Sequence, residues 1–343
     1  MDWLYEASYA GLSAVADALI EKGADINRQG GEFGNALQAA AYRGHGDIVR
    51  LLLEKGADPH AQGGEFGNAL QAASYRGLGD IVKLLLEKGA DTHAQGGEFG
   101  NALQAASYRG HGDIVNLLLG NGVDIHAQGG EFGNALQAAS TGGHNDIVKL
   151  LLKKGADIYA QGGVFGNALQ AAAYRGHGDI VKLLLEKGAD IHTQGGEFGN
   201  ALQAASAGGH NDIVKLLLEK GADIHAQGGQ FGNALQAASY RGHFNIVKLL
   251  LQEGADIHAQ GGQFGNPLQA ASARGHGDIV KLLLEKGADI HTQGGEFGNA
   301  LQAASAGGHN DIVQLLLEKG TDIHAQGGRL LKRTWRQRLL YAL

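Results

Sequence analysis

The sequence predicts an all-α solenoid: stacked helix-turn-helix units joined by projecting, β-hairpin-like loops. Three observations predict it: a 33-residue period, two short helical segments in each period, and glycines at fixed places within it. Asn35, Asn68, Asn101, Asn134, Asn167, Asn200, Asn233, Asn266 and Asn299 are each 33 residues apart, and each opens nearly the same phrase. Ten units cover 1–330, the first of them (from Trp3) a degraded N-terminal cap, and 331–343 remain as a non-repeat basic tail or C-terminal cap. One unit is too small to bury its own leucines, whereas stacked units cover one another.

Each element of the unit has a local reason. Asn35 is a good N-cap, and the next position holds alanine in most units and Pro267 in one, as a first helical position allows. Leu37, Ala39, Ala40 and Ala41 make a short helix of small residues, and Gly44 stops it. Asp47 opens a second helix, where a negative charge suits the helix dipole. Ile48, Val49, Leu51, Leu52 and Leu53 leave that helix apolar nearly all round, which predicts burial on several sides. Lys55 suits its end and Gly56 closes it, after which Gln62-Gly63-Gly64-Glu65-Phe66-Gly67 reads as a loop with a tight glycine turn.

Composition removes whole classes of protein. The chain has 343 residues with 58 glycines, two prolines and no cysteine, so collagen, disulfide frameworks and thiolate chemistry are excluded. With 43% hydrophobic and 18% charged residues it is not a disordered chain. No apolar run reaches the roughly 18 residues of a membrane span. Neither does the start read as a signal peptide, because Asp2, Glu6, Asp17 and Glu21 interrupt it. These features predict a cytoplasmic protein, with the nucleus as the other compartment.

The wording of the unit resembles the ankyrin repeat, as in Gly176-His177, Ile180-Val181, Leu183-Leu184 and Gly188-Ala189-Asp190. One departure is systematic: where that family usually opens its first helix with Thr-Pro-Leu-His, this chain writes Asn68-Ala69-Leu70-Gln71. Asn can replace the Thr cap and Gln the hydrogen-bonding His. The Gln-Gly-Gly-Glu-Phe-Gly loops with Asn-Ala-Leu-Gln resemble the near-identical ankyrin arrays of filamentous fungi. Those arrays often form the C-terminal part of NACHT-type receptors. The resemblance implies a non-catalytic scaffold that binds a protein partner through a concave face of loop tips and first helices. The rival within that class is the sensing segment of such a receptor, which a start inside a first helix favours.

A metal protein or enzyme is the rival from another class. The 16 histidines fall on two repeated positions, exemplified by His45 and His60. Equivalent residues of stacked helices lie roughly 10 Å apart, too far to converge on one zinc ion. Leu78 and Tyr159 interrupt the two ladders without disturbing the pattern around them. Gly44-His45-Gly46 lacks the third glycine of a dinucleotide fingerprint, since Val49 stands there, and no P-loop exists. Catalysis needs unlike groups at one place, and a repeated unit keeps unlike positions apart. No cofactor, no metal and no enzymatic activity are therefore expected.

Two places in the unit vary. The loop tip carries Glu in most units, but Val164, Gln230 and Gln263 in three. The end of the first helix carries Tyr-Arg in five units, whereas Thr141-Gly142, Ala207-Gly208 and Ala306-Gly307 lack both residues. Units two to four hold three consecutive pairs, Tyr42-Arg43, Tyr75-Arg76 and Tyr108-Arg109, edged by Glu65 and Glu98. Tyr and Arg are enriched among residues that dominate binding energy, so these eight residues are the predicted partner surface.

The tail is basic. Arg329, Lys332, Arg333, Arg336 and Arg338 leave residues 1–328 with 23 basic against 35 acidic side chains, a charge of −12. The tail reads as an amphipathic cap, as a contact for an anionic surface, or as a mistaken chain end. The acidic body predicts neither a nucleic-acid nor a membrane partner. A monomer with a protein partner is expected.

Overall fold

A computed structural model describes residues 2–322, so the basic tail lies outside the described residues. The chain divides into two compact units, 1–168 and 169–343. The described residues form twenty helices in pairs and no sheet. The first unit holds α1 (Trp3–Ala10), α2 (Ser13–Glu21), α3 (Ala36–Arg43), α4 (Gly46–Glu54) and α5 (Ala69–Arg76). It continues with α6 (Gly79–Glu87), α7 (Ala102–Arg109), α8 (Gly112–Gly120), α9 (Ala135–Gly142) and α10 (Asn145–Lys153). From the division onward come α11 (Ala168–Arg175), α12 (Gly178–Glu186), α13 (Ala201–Gly208), α14 (Asn211–Glu219) and α15 (Ala234–Arg241). The series ends with α16 (Phe244–Gln252), α17 (Pro267–Arg274), α18 (Gly277–Glu285), α19 (Ala300–Gly307) and α20 (Asn310–Glu318).

The caps explain the phrase that repeats. Asn35 is extended (φ −153°), and its side chain accepts the Gln38 N–H at 2.9 Å. Pro267 occupies the first position of α17, where its missing N–H would have had no helical partner. Gly44 ends α3 in the left-handed conformation (φ 85°), which non-glycine residues rarely adopt.

First helices pack on first helices: in the first unit α1 on α3, α3 on α5, α5 on α7 and α7 on α9. In the second unit α13, α15, α17 and α19 stack likewise. Leu37, Ala39, Ala40 and Ala41 are buried, and their small side chains permit that approach. The second helices differ from expectation. Ile48, Val49 and Leu52 are buried, but Leu51 and Leu53 are only half-buried, because α4 touches α2 and α6 more sparsely than the first helices touch one another. The leucine-rich helix thus forms an outer layer that covers the alanine helices with one face.

From the α4–α5 loop onward, eight of the long loops close as a minimal hairpin. Gly63 bridges Gly67, with the Gly63 N–H donating to the Gly67 carbonyl at 2.8 Å. Gly64 has φ 65°, and a Cβ there would collide with the Phe33 carbonyl group of the preceding loop. The glycines are therefore required twice over, by the turn and by the contact with the neighbour.

Candidate partner surface

The residues predicted to bind a partner belong to a continuous aromatic stack. In the first unit Phe33, Phe66, Phe99 and Phe132 sit behind the loop tips, with neighbouring ring centroids 6.1, 5.8 and 5.9 Å apart. That is well below the roughly 10 Å between packed helices, so the loops crowd more closely than the helices that carry them. The tyrosines that end the first helices wedge between these rings. Tyr42 lies 4.3 Å from Phe33 and 5.0 Å from Phe66, and Tyr75 lies 4.9 Å from Phe66 and 4.7 Å from Phe99. Tyr108 closes the row at 4.5 Å from Phe132. The same device recurs in the second unit, where Tyr240 lies 4.1 Å from Phe264.

The tyrosines are consequently half-buried. Burial raises the Tyr75 phenol pKa above its ordinary value; Arg109 opposes this, while Tyr108, Tyr42 and Glu98 reinforce it. The arginines are exposed but positioned. Arg43 lies 4.9 Å over the Tyr9 ring, Arg76 5.0 Å over Tyr42, and Arg109 4.9 Å over Tyr75. Each guanidinium thus covers the tyrosine of the preceding repeat, an attraction between a cation and the negative face of a ring. What varies at the helix end is this clip between repeats together with its exposed charge.

The loop tips form a second ladder. The Glu65 N–H donates to the Glu32 carbonyl at 3.1 Å, Glu98 to Glu65 at 3.0 Å and Glu131 to Glu98 at 3.0 Å. The carboxylates are exposed and held in register by these bonds. Partial burial raises the Glu98 pKa first, and repulsion by Glu131 and Glu65 raises it further. The structure therefore brings Tyr42, Arg43, Glu65, Tyr75, Arg76, Glu98, Tyr108 and Arg109 together as parallel rows along three repeats.

Two other repeated side chains are structural. The His111 ring Nε2 meets the Tyr75 carbonyl at 3.0 Å, and His144 meets that of Tyr108 at 2.9 Å, tying the start of one second helix to the first helix of the preceding repeat. His60, in the other ladder, is exposed, and its backbone N–H donates to Asp58 in a local turn. The buried Gln71 donates through Nε2 to the Gly100 carbonyl at 2.9 Å and the Gly96 carbonyl at 3.3 Å. It pins the next loop to its own helix. The sequence marks this glutamine as a hydrogen-bonding residue but not its reach into the next repeat. The aromatic stack was also missed, although Phe and Tyr recur with the same period. Among the described residues no helix is long and apolar enough to cross a membrane.

These features define a class: a protein of stacked helix pairs in which, within each unit, hairpin loops and first helices carry neighbouring rows of side chains. The family model for ankyrin repeats in three copies matches residues 4–96, 102–195, 169–261 and 236–327, and a many-copy ankyrin model matches 79–119. The chain belongs to the ankyrin-repeat family. Among solved structures it is similar to the human ASB11 ankyrin repeat domain, with 27% identity and a TM-score of 0.55, over 65% of this chain and 99% of that one. No curated protein sequence matches the chain.

Proposed function

We propose that the chain is a non-catalytic, cytoplasmic scaffold that binds a protein partner through the row Tyr42-Arg43, Tyr75-Arg76 and Tyr108-Arg109, edged by Glu65 and Glu98. The observation that supports this most is the set of exposed arginines fixed over tyrosine rings in three consecutive repeats. Side chains already held in place lose less entropy when a partner docks. The array 1–330 acts as one monomeric binding domain in this reading, with no cofactor.

Capture from the source cell with the full chain tests it, run beside Arg43→Ala/Arg76→Ala/Arg109→Ala. The expected result is a protein retained by the native chain and at least tenfold depleted on the variant, since two or three contacts of this kind contribute more than about 1.4 kcal/mol in total. Equal retention by both would overturn the surface. The wild-type tyrosines stay in place because the structure assigns them a stacking role that alanine would destroy.

A second reading makes the chain the sensing segment of a larger fungal NACHT-type receptor. The near-identical repeats support it: residues 186–229 recur at 285–328 with only Lys215/Gln314 and Ala222/Thr321 differing. Sequencing the transcript across both ends tests that reading directly.

A further inference from the structure

The two compact units build the same loop ladder from different side chains. In the first unit the tips are Glu32, Glu65, Glu98, Glu131 and Val164, each joined to the next by one backbone hydrogen bond of 2.9 to 3.1 Å. In the second they are Glu197, Gln230, Gln263 and Glu296, joined the same way with bonds of 2.9, 2.8 and 2.9 Å. The Gln230 amide donates to the Glu197 carboxylate at 2.5 Å, and the Gln263 amide donates to Glu296 at 2.9 Å. Carboxylates thus lie beside amides that bind them in one unit, and beside other carboxylates in the other.

Like charges directly opposed across paired backbone are destabilising, whereas an amide–carboxylate pair is not. The crowding is set by the stack beneath, whose rings lie 5.8 and 5.9 Å apart on either side of Phe99. Glu65 and Glu131 flank Glu98 in the neighbouring loops, and from the first-helix layer the Tyr75 phenol feels its charge, with Arg109 lying over that ring. Neither Glu65, Glu98 nor Glu131 forms an ion pair among the described residues.

We propose that the loop-tip ladder of the first unit is an acid-tightened element: repulsion between stacked carboxylates loosens its tips at neutral pH and protonation draws them together, while the amide-bridged ladder of the second unit stays indifferent to pH. The sign follows from linkage. A carboxyl whose proton is held more firmly in the folded ladder than in the unfolded chain makes the ladder more stable as pH falls. Glu98 is such a group, flanked on both sides. Because Glu65 and Glu98 edge the proposed partner surface, which rests on the reading above, acid stiffens the edge of that surface.

Hydrogen exchange at single amides tests the device in the full chain. The probes are the ladder amides of positions 98, 131, 230 and 263, corrected for intrinsic exchange and normalised to the Val82 amide, whose acceptor is the carbonyl of Leu78 rather than of a histidine. From pH 7.5 to 4.5, into the ordinary carboxylate range, the relative protection at 98 and 131 is expected to rise about threefold, and that at 230 and 263 to stay constant. Glu98→Gln, a change this chain already carries at two equivalent positions, should raise protection at pH 7.5 and flatten the response. Gln230→Glu with Gln263→Glu should transfer the response to the second ladder. A flat wild-type profile, a response surviving Glu98→Gln, or no transfer would each overturn the proposal. Loss of partner binding by the arginine variant bears on the binding surface alone and leaves these outcomes untouched.

Discussion

At the scale of the residue, each repeated polar side chain answers a hydrogen-bonding need of the backbone. Gln71 is buried, and its amide satisfies two loop carbonyls of the next repeat. Gln71→Ala leaves those carbonyls without that donor and should cost about 1–3 kcal/mol in urea unfolding. The Asn caps were legible because an N-cap is a local signal, read from the residue and its three successors. The reach of Gln71 was not, because its acceptors lie 25 and 29 residues on and only stacking brings them near. The histidine clips give a pH prediction. Burial lowers the pKa of His111 and His243 below the ordinary histidine value; the Tyr75 and Ala207 carbonyls oppose that shift, while Arg109, His144, His210, Arg241 and His276 are among the charges that add to it. The folded chain then refuses a proton that the unfolded chain accepts, so this stabilisation is present above the ordinary histidine pKa and is lost as pH falls through and below it. The urea midpoint should therefore drop between pH 7.5 and 5.5. The double change His111→Leu/His243→Leu, which copies the native Leu78, should reduce that slope.

At the scale of the element, the loop is as much a packing unit as the helices. Phe99 is buried and touches Phe66, Phe132, Tyr75 and Tyr108. Phe99→Ala should cost about 3–5 kcal/mol, as for a core aromatic, though it sits in a segment whose sequence reads as a polar turn. The helices themselves were legible from caps and small residues, and their sequential order followed from the period. What misled was the second helix: Leu51 and Leu53 counted as core on composition, yet they lie half-exposed because the outer helices pack sparsely. Hydrophobicity all round a helix signals burial on several sides only where neighbours stand on several sides.

At the scale of the molecule, translational repetition makes the fold legible and the site faint. A motif read once applies to every unit, so ten helix pairs follow from one 33-residue phrase. A binding site, by contrast, must lie where units differ, and the differences are few: Tyr-Arg against Ala-Gly at a helix end, Glu against Gln at a loop tip. The sequence located those positions but not their geometry, since the stacking of arginine on the previous tyrosine is a contact between repeats. Charge acts at this scale too. Protonating all 16 histidines would carry the net charge from −7 to +9, so solubility should pass through a minimum in mildly acidic buffer. Light scattering across pH 8 to 5 checks it, and a flat trace would count against it.

The central claim is that the partner docks on the face where three consecutive repeats carry tyrosine-stacked arginines. Hydrogen-exchange footprinting of the full chain, with and without the captured partner, tests it most directly. The expected result is protection concentrated in 32–43, 65–76 and 98–109, with the exposed edges of α4, α6 and α8 unchanged. Protection confined to those outer helices would contradict it.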